Sequence, residues 1–357
     1  MESVVNAVVV IDLFSGAGGL TEGFFKEGYE IVAHVEKERW ACETLKTRIF
    51  YYYLKGKNDL EMYKIYLQHS DNYKKINEAR EIVYSKYPEL REKTNHEVLN
   101  KAFGNPSNEP ETTTTKEIIG MIGESMKYHG KQSIDVIIGG PPCQAYSIIG
   151  RARMGESVKK DKRNYLFYYY KELVDHFKPK MFIFENVPGI LTAKNGKIFN
   201  DIHYEFSQIG YELKSGRNDD HNLNLHDSKY FGVYQSRKRL ILFGYKKDLN
   251  IEYPEFYKYV NKLDESQTTR NAIGDLPFLS AGEGTDLGLV KYPEHDKVKL
   301  SKYQSLMRDE QFGILNHRAR PVNKEYDRRI YRKAIKFASE GKRFKYSDVG
   351  EEDRKHN

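Results

Sequence analysis

The chain predicts an α/β fold: a doubly wound, mostly parallel sheet carrying a helical insertion. Three observations point there. Short apolar, β-branched runs recur, among them "VVVIDL" at 8–13 and "DVIIGG" at 135–140, with the length and composition of strands buried on both faces. Stretches of helical spacing separate them, the βαβ rhythm of a parallel sheet. Glycines and acids sit where strands should end, with "SGAGG" after the first run and Glu36 closing the second.

Taken in order, Val8 to Leu13 is the first strand and "SGAGG" breaks it. "LTEGFFKEGY" has helical spacing and Gly28 ends it. "EIVAHVE" is the second strand and "KERWACETLKTRI" the second helix. From about residue 50 to 132 the rhythm fails. The text is polar and helix-forming with weak apolar stripes, interrupted by the loop-like "FGNPSNEPETTTTK" and followed by the helical "EIIGMIGESMKYHG". This region, 50–132, reads as a solvated helical insertion without catalytic duty. The alternation then resumes with strand "IDVIIGG", helix "NYLFYYYKELVDHFKPK", strand "MFIFENV", helix "IFNDIHYEFSQIGY" and strand "RKRLILFGYKK". Residues 1–49 and 133–280 therefore form one α/β domain. A turn-rich stretch, "AIGDLPFLSAGEGTD", leads to a separate region, 281–357, with a basic tail from Ser301.

Composition narrows the class. The 357 residues allow one large domain or two ordinary ones, and 39% hydrophobic with 13% aromatic residues supply a core. No apolar run approaches the roughly 20 residues that span a bilayer, so no membrane partner is expected. The first residues lack the basic start of a secretory signal. Two cysteines make no disulfide framework, and no histidines lie at zinc spacing beside them, so a reducing cytoplasm and no metal are expected. A net charge of +7 suits a partner with phosphates without singling one out.

Four motifs carry chemistry. In "DLFSGAGG" a glycine turn lets a ligand approach the backbone ahead of a helix N-terminus, and Glu36 can accept from a ribose diol. The turn departs from GxGxxG, which disfavours NAD. In "GGPPCQ", Pro141 and Pro142 stiffen a loop that holds Cys143 at a strand's carboxyl end. In "FENV", Glu185 follows an apolar run, where burial would raise its pKa and suit proton donation. In "QSRKR", Gln235, Arg237 and Arg239 alternate at the start of a strand and so share a face. Each also has a structural reading: a tight turn with a surface glutamate, a core cysteine, a capping or salt-bridged glutamate, a solvated edge strand.

Together and in this order, "DLFSGAGG", "GGPPCQAYS", "ENVPGIL" and "YFGVYQSRKRLILFGY" resemble the C5-cytosine-specific DNA methyltransferases, over residues 8 to about 280. The resemblance implies a class I, Rossmann-like methyltransferase fold and S-adenosylmethionine as cofactor. It implies transfer of a methyl group to cytosine C5 in double-stranded DNA, within a prokaryotic restriction-modification system and at the nucleoid. Cys143 then resembles the nucleophile that adds to C6, Glu185 the acid at the N3/N4 edge, and Arg239 with Arg237 its basic partners. Phe14, Gly16, Gly19, Glu36, Pro141 and Leu166 fall on cofactor-pocket positions, and Gln235 and Asn186 on positions near the flipped base. The family's acidic residue near the adenine cannot be placed, and Lys37 stands where an apolar neighbour is common. Beyond Asp275-Leu276-Pro277 the closing motifs are not recognised. Residues 281–357 are therefore expected to be the start of a target-recognition region, with a complementary C-terminal subunit as partner. A tRNA cytosine methyltransferase and an inactive fragment are the alternatives.

Overall fold

The computed structural model describes residues 7–69, 75–142, 166–214, 225–249, 251–252, 254, 256–260, 268–285, 289–294, 299–309, 311–322 and 324–353. They fall into two compact units, Met1–Leu60 with Tyr84–Asp264, and Glu61–Val83 with Glu265–Asn357.

The first unit is built on a mixed, mostly parallel sheet. Its described strands are β1 (Val9–Leu13), β2 (Glu30–Glu36), β3 (Val98–Asn100), β4 (Val136–Gly139), β5 (Met181–Asn186), β6 (Tyr211–Lys214), β7 (Leu225–Asp227) and β8 (Lys238–Lys246). Their spatial order is β3-β2-β1-β4-β5-β8-β6, with β7 also paired to β8. The first five are parallel neighbours, and β8 runs antiparallel to β5, β6 and β7. All five residues of β1 are buried, as a central strand covered on both faces requires. Strand order reverses between β1 and β4. Ligands of open α/β sheets bind at the carboxyl ends beside such a switch point.

Helices α1 (Gly19–Lys26) and α2 (Arg39–Gly56) follow β1 and β2 as the spacing predicts. Further on, α3 (Leu60–His69), α4 (Ile76–Lys86) and α5 (Pro88–Glu97) precede β3, and α6 (Thr115–Tyr128) precedes β4. The structure ends the insertion earlier than residue 132. Val98–Asn100 pairs with His34–Glu36 of β2, and Ile118, Ile122 and Met126 of α6 join Ile11, Leu13 and Val32 in the main core. A capping box between Thr114 and Glu117 starts α6, and Ser125 donates to the Val32 carbonyl at 2.6 Å. Both elements belong to the sheet's layers.

Helix α7 (Phe167–Phe177) buries Tyr170, whose hydroxyl lies 3.0 Å from the carbonyl oxygens of both Ile137 and Ile183. This one side chain bridges β4 and β5. Helix α8 (Lys197–Gln208) sets Ile198, Ile202 and Phe206 on the same core.

The second unit holds α9 (Thr269–Ile273), a two-stranded ladder of β9 (Leu289–Val290) and β10 (Ile314–Leu315), α10 (Lys302–Met307) and α11 (Glu325–Ser339). Its short elements are tied by polar contacts. Arg308 Nε pairs with Asp275 Oδ2 at 2.9 Å, and Gln304 Nε2 donates to the Arg270 carbonyl at 3.0 Å. The Tyr63 and Phe312 rings meet edge to face at 5.5 Å between centroids. Among the described residues of both units, no helix is long and apolar enough to cross a membrane.

Candidate active site

The carboxyl ends of β1, β4 and β5 approach one another closely. A Cβ on Gly139 would lie 2.3 Å from the Leu13 carbonyl oxygen, and one on Gly140 only 2.7 Å from Glu185 Oε2. At Gly139 the close atom is backbone, so no side chain fits there, and at Gly140 one would displace the Glu185 carboxylate. Asn186, 2% exposed, donates to the Pro141 carbonyl at 3.2 Å and accepts from the Val187 N–H at 2.9 Å. The "PP" and "ENV" motifs are thus bolted together through one buried amide. Asn186 faces the protein rather than an open site. Cys143, with everything to residue 165, lies outside the described residues.

Glu185 occupies the other face of β5 from Phe182, Phe184 and Asn186. Its Oε1 lies 2.6 Å from Arg239 Nε. The register explains the pair. Glu185 is opposite Ile241, and Arg239 stands two residues along the same face of β8, a diagonal neighbour within reach of a long side chain. Burial pushes the Glu185 carboxyl above the usual glutamate range, while Arg239 and then Arg237 pull against it.

Arg237 and Gln235 sit differently from the sequence expectation. Strand β8 begins at Lys238, so only Arg239 of the three lies in it, and Gln235 and Arg237 are exposed in the turn before it. The reason is Asp227 at the end of β7, whose carboxylate accepts from the Ser236 hydroxyl at 2.7 Å and the Arg237 N–H at 3.1 Å. Ser228, next to Asp227, accepts from the same Arg237 N–H at 3.2 Å. The signal stands in the text as "HDS", upstream of the motif it supports.

Beyond the carboxyl ends of β1, β2, β3 and β4 opens a cavity of ≈ 730 Å³. Phe14, Glu36 and Leu166 of the expected cofactor residues line it, beside Gly140, Pro142 and Tyr169. Pro141 itself is buried with its carbonyl engaged. Phe14 holds φ +57° and Gly16 φ +54°, the left-handed region, in the turn after β1. A non-glycine residue held there marks a strained turn of the kind found at ligand sites. Gly19 opens α1, and a Cβ at Gly16 or Gly19 would meet nothing within 4 Å. Glu36, 8% exposed, receives the Gly16 N–H on Oε2 at 2.7 Å and the Glu38 N–H on Oε1 at 2.8 Å. Each oxygen keeps a further lone pair, the capacity a diol needs.

The segment after β3 completes the cavity and carries no signal that sequence reasoning found. Phe103 meets Phe14 at 5.1 Å and stacks on Tyr169 at 5.7 Å, while Asn105, Glu109 and Glu111 line the rim. Asn100, at the end of β3, donates to the carbonyls of Glu36 and Lys37 at 3.0 and 2.9 Å. The cavity therefore joins an aromatic wall, a carboxylate and a glycine turn. These features fit an adenosyl group: a flat ring for the wall and a ribose for Glu36.

Comparison with known proteins gives the family. The model of the C-5 cytosine-specific DNA methylases matches residues 8–62 and 93–356, so its match continues beyond residue 280 and omits 63–92. The chain is 53% identical over 350 residues to the Type II methyltransferase M.Bpa9945I of Bacillus paralicheniformis, covering 98% of this chain and 78% of that one. It is 30% identical over 313 residues to the Type II methyltransferase M.DdeI of Desulfomicrobium norvegicum, covering 86% of this chain and 56% of that one. The chain thus spans most of the first relative and little more than half of the second. A solved structure described as a DNA modification methyltransferase encoded within a prophage, from E. coli, aligns with a TM-score of 0.48 and 21% identity, over 82% of this chain and 62% of that one.

Proposed function

The chain belongs to the C-5 cytosine-specific DNA methylase family, and on that footing we propose that it methylates C5 of cytosine in double-stranded DNA as part of a restriction-modification system. The observation that supports this most is the Glu185–Arg239 pair, held against Gly140, three residues ahead of Cys143 in the sequence.

Cytosine C5 is a poor nucleophile. Attack of the Cys143 thiolate at C6 turns C5 into an enamine-like carbon, and the ring needs a proton or hydrogen-bond donor at N3 as electrons move. Glu185, with its carboxyl raised by burial, retains a proton for N3 better than a solvated glutamate would. Arg239 orients that carboxyl and holds part of its charge. Removal of the C5 proton and elimination of the thiolate then restore the aromatic ring.

S-adenosylmethionine, when bound, supplies the electrophilic methyl group. Phe14 and Phe103 would form one aromatic wall for its adenine, and Glu36 would accept from its ribose. Gly16 and Gly19 keep the turn clear of side chains. Reaching Cys143 requires the cytosine to leave the duplex stack.

The test is methyl transfer from labelled cofactor to cytosine-containing duplex DNA, with tRNA as a parallel arm. Label should enter the duplex at C5, and Cys143→Ser should abolish it, because serine is not ionised near neutral pH. Label entering tRNA alone, or transfer surviving in Cys143→Ser, contradicts the reading.

A further inference from the structure

On the sheet face that carries Val10 and Ile138, three polar side chains are shut away from water. Asp12 of β1 is 0% exposed, His34 of β2 3%, and Thr21 in the first turn of α1 8%. The Thr21 hydroxyl lies between the other two. It shares a hydrogen bond with Asp12 Oδ2 and stands 3.5 Å from His34 Nδ1, while Asp12 Oδ2 and His34 Nδ1 are 4.0 Å apart. Asp12 Oδ1 is buried and has no hydrogen-bond partner among the described residues.

The orphan oxygen decides how the protons are shared. In an ion pair of Asp12 and His34, half of the carboxylate charge would rest on Oδ1, dry and unbonded, a costly arrangement. In a neutral cluster Oδ1 is only an under-satisfied carbonyl, which folded proteins tolerate better. The acid O–H on Oδ2 then donates to Thr21, and the Thr21 O–H donates to His34 Nδ1. Each donor in that line has an acceptor.

We infer that Asp12 is a protonated, neutral acid in the folded protein, and that Asp12, Thr21 and His34 form a buried relay that positions the cofactor turn. The placement gives the relay its purpose. Asp12 precedes Phe14 by two residues, Thr21 follows Gly19 by two, and His34 precedes Glu36 by two. Each element leading into the cradle contributes one member. Burial works in the same direction, raising Asp12 to about 7 against the lowering effect of hydrogen bonds from Thr21 and Ser15, and lowering His34 to about 4. The charged groups facing the cluster are Glu36 on β2, which raises Asp12 further, Glu97 on α5, which raises His34, and Lys93 on α5 with Arg48 on α2, which lower it. Thr21 and His34 also line a cavity of ≈ 450 Å³.

The positioning role rests on the cofactor reading above, and the protonation state does not. The two are therefore tested separately on the full chain. Nitrogen-15 NMR of the His34 ring should show a neutral imidazole at pH 6. An imidazolium there overturns the relay. Calorimetric binding of S-adenosylhomocysteine should then weaken about tenfold in Thr21→Val and Asp12→Ala, with Thr21→Ser and Asp12→Asn within about threefold of the native chain. Asn preserves the donor that a neutral acid supplies. If Asp12→Asn binds as poorly as Asp12→Ala, the acid is not neutral. If every variant binds as the native chain does, the relay positions nothing. A native chain that binds no nucleoside would sink the cofactor reading while leaving the NMR result intact.

Discussion

Glu185 is governed by two opposed influences, burial lifting its carboxyl and the guanidinium of Arg239 drawing it down. The sign of a prediction follows. If protonated Glu185 is the working form, transfer declines as pH rises through its pKa. Arg239→Met removes a lowering influence and should move that alkaline limb of the pH–rate profile to higher pH. Glu185→Gln should reduce transfer on the order of 10²–10⁴-fold with cofactor affinity unchanged. Glu36→Ala removes charged acceptors and should weaken cofactor binding about 10- to 100-fold, read by calorimetry. The buried pair gives a stability test. Asp12, raised from 3.8 to about 7, loses folded-state stability as pH rises through that span, whereas His34, lowered from 6.5 to about 4, gains it as pH rises to 6.5. The two oppose each other in the native chain. Urea denaturation from pH 4 to 7 should show stability rising with pH in Asp12→Asn relative to the native chain, and falling in His34→Gln.

Tyr170 shows what an element-scale contact does: its single hydroxyl reaches the carbonyls of two neighbouring strands. Tyr170→Phe removes the hydroxyl that ties the two strands and should cost about 0.5–1.5 kcal/mol, measured by urea denaturation. Strands β1, β2, β4 and β5 were legible in the text because each is an apolar run bounded by turn residues, and α7 and α8 because their apolar residues recur at helical spacing. Strands β3 and β7 were not. Each has three residues, too few for any period to show, and β3 follows α5 without a break. The start of β8 was misjudged for a different reason. Alternating residues suggested a ladder, but Asp227, eight residues ahead of Gln235, holds that stretch in a turn. The cavity rim after β3 is glycine- and proline-marked loop, whose placement depends on tertiary contacts with Phe14 and Tyr169. The resemblance alone puts Asn186 near the base, and no pattern in the sequence shows which way its side chain turns. In the structure β5 sends consecutive side chains to opposite faces, and Asn186 points into the core instead.

At the scale of the molecule, the first unit holds the cavity, the Glu185–Arg239 pair and the buried relay, and the second is organised by its own polar ties. Chemistry that depends on Cys143 can be tested without knowing the preferred sequence, provided the DNA offers many cytosine contexts. The most direct measurement uses duplex DNA in which 5-fluorocytosine replaces cytosine throughout, incubated with the chain and S-adenosylmethionine. Fluorine cannot leave C5 as a cation, so the reaction should halt after methyl transfer with the thioether bond to C6 intact. The expected result is a protein–DNA adduct that survives denaturing electrophoresis, requires the cofactor, and maps by peptide mass spectrometry to Cys143. An adduct retained in Cys143→Ser, or methylation of ordinary duplex DNA by a chain that yields no adduct with the fluorinated one, would contradict the covalent account.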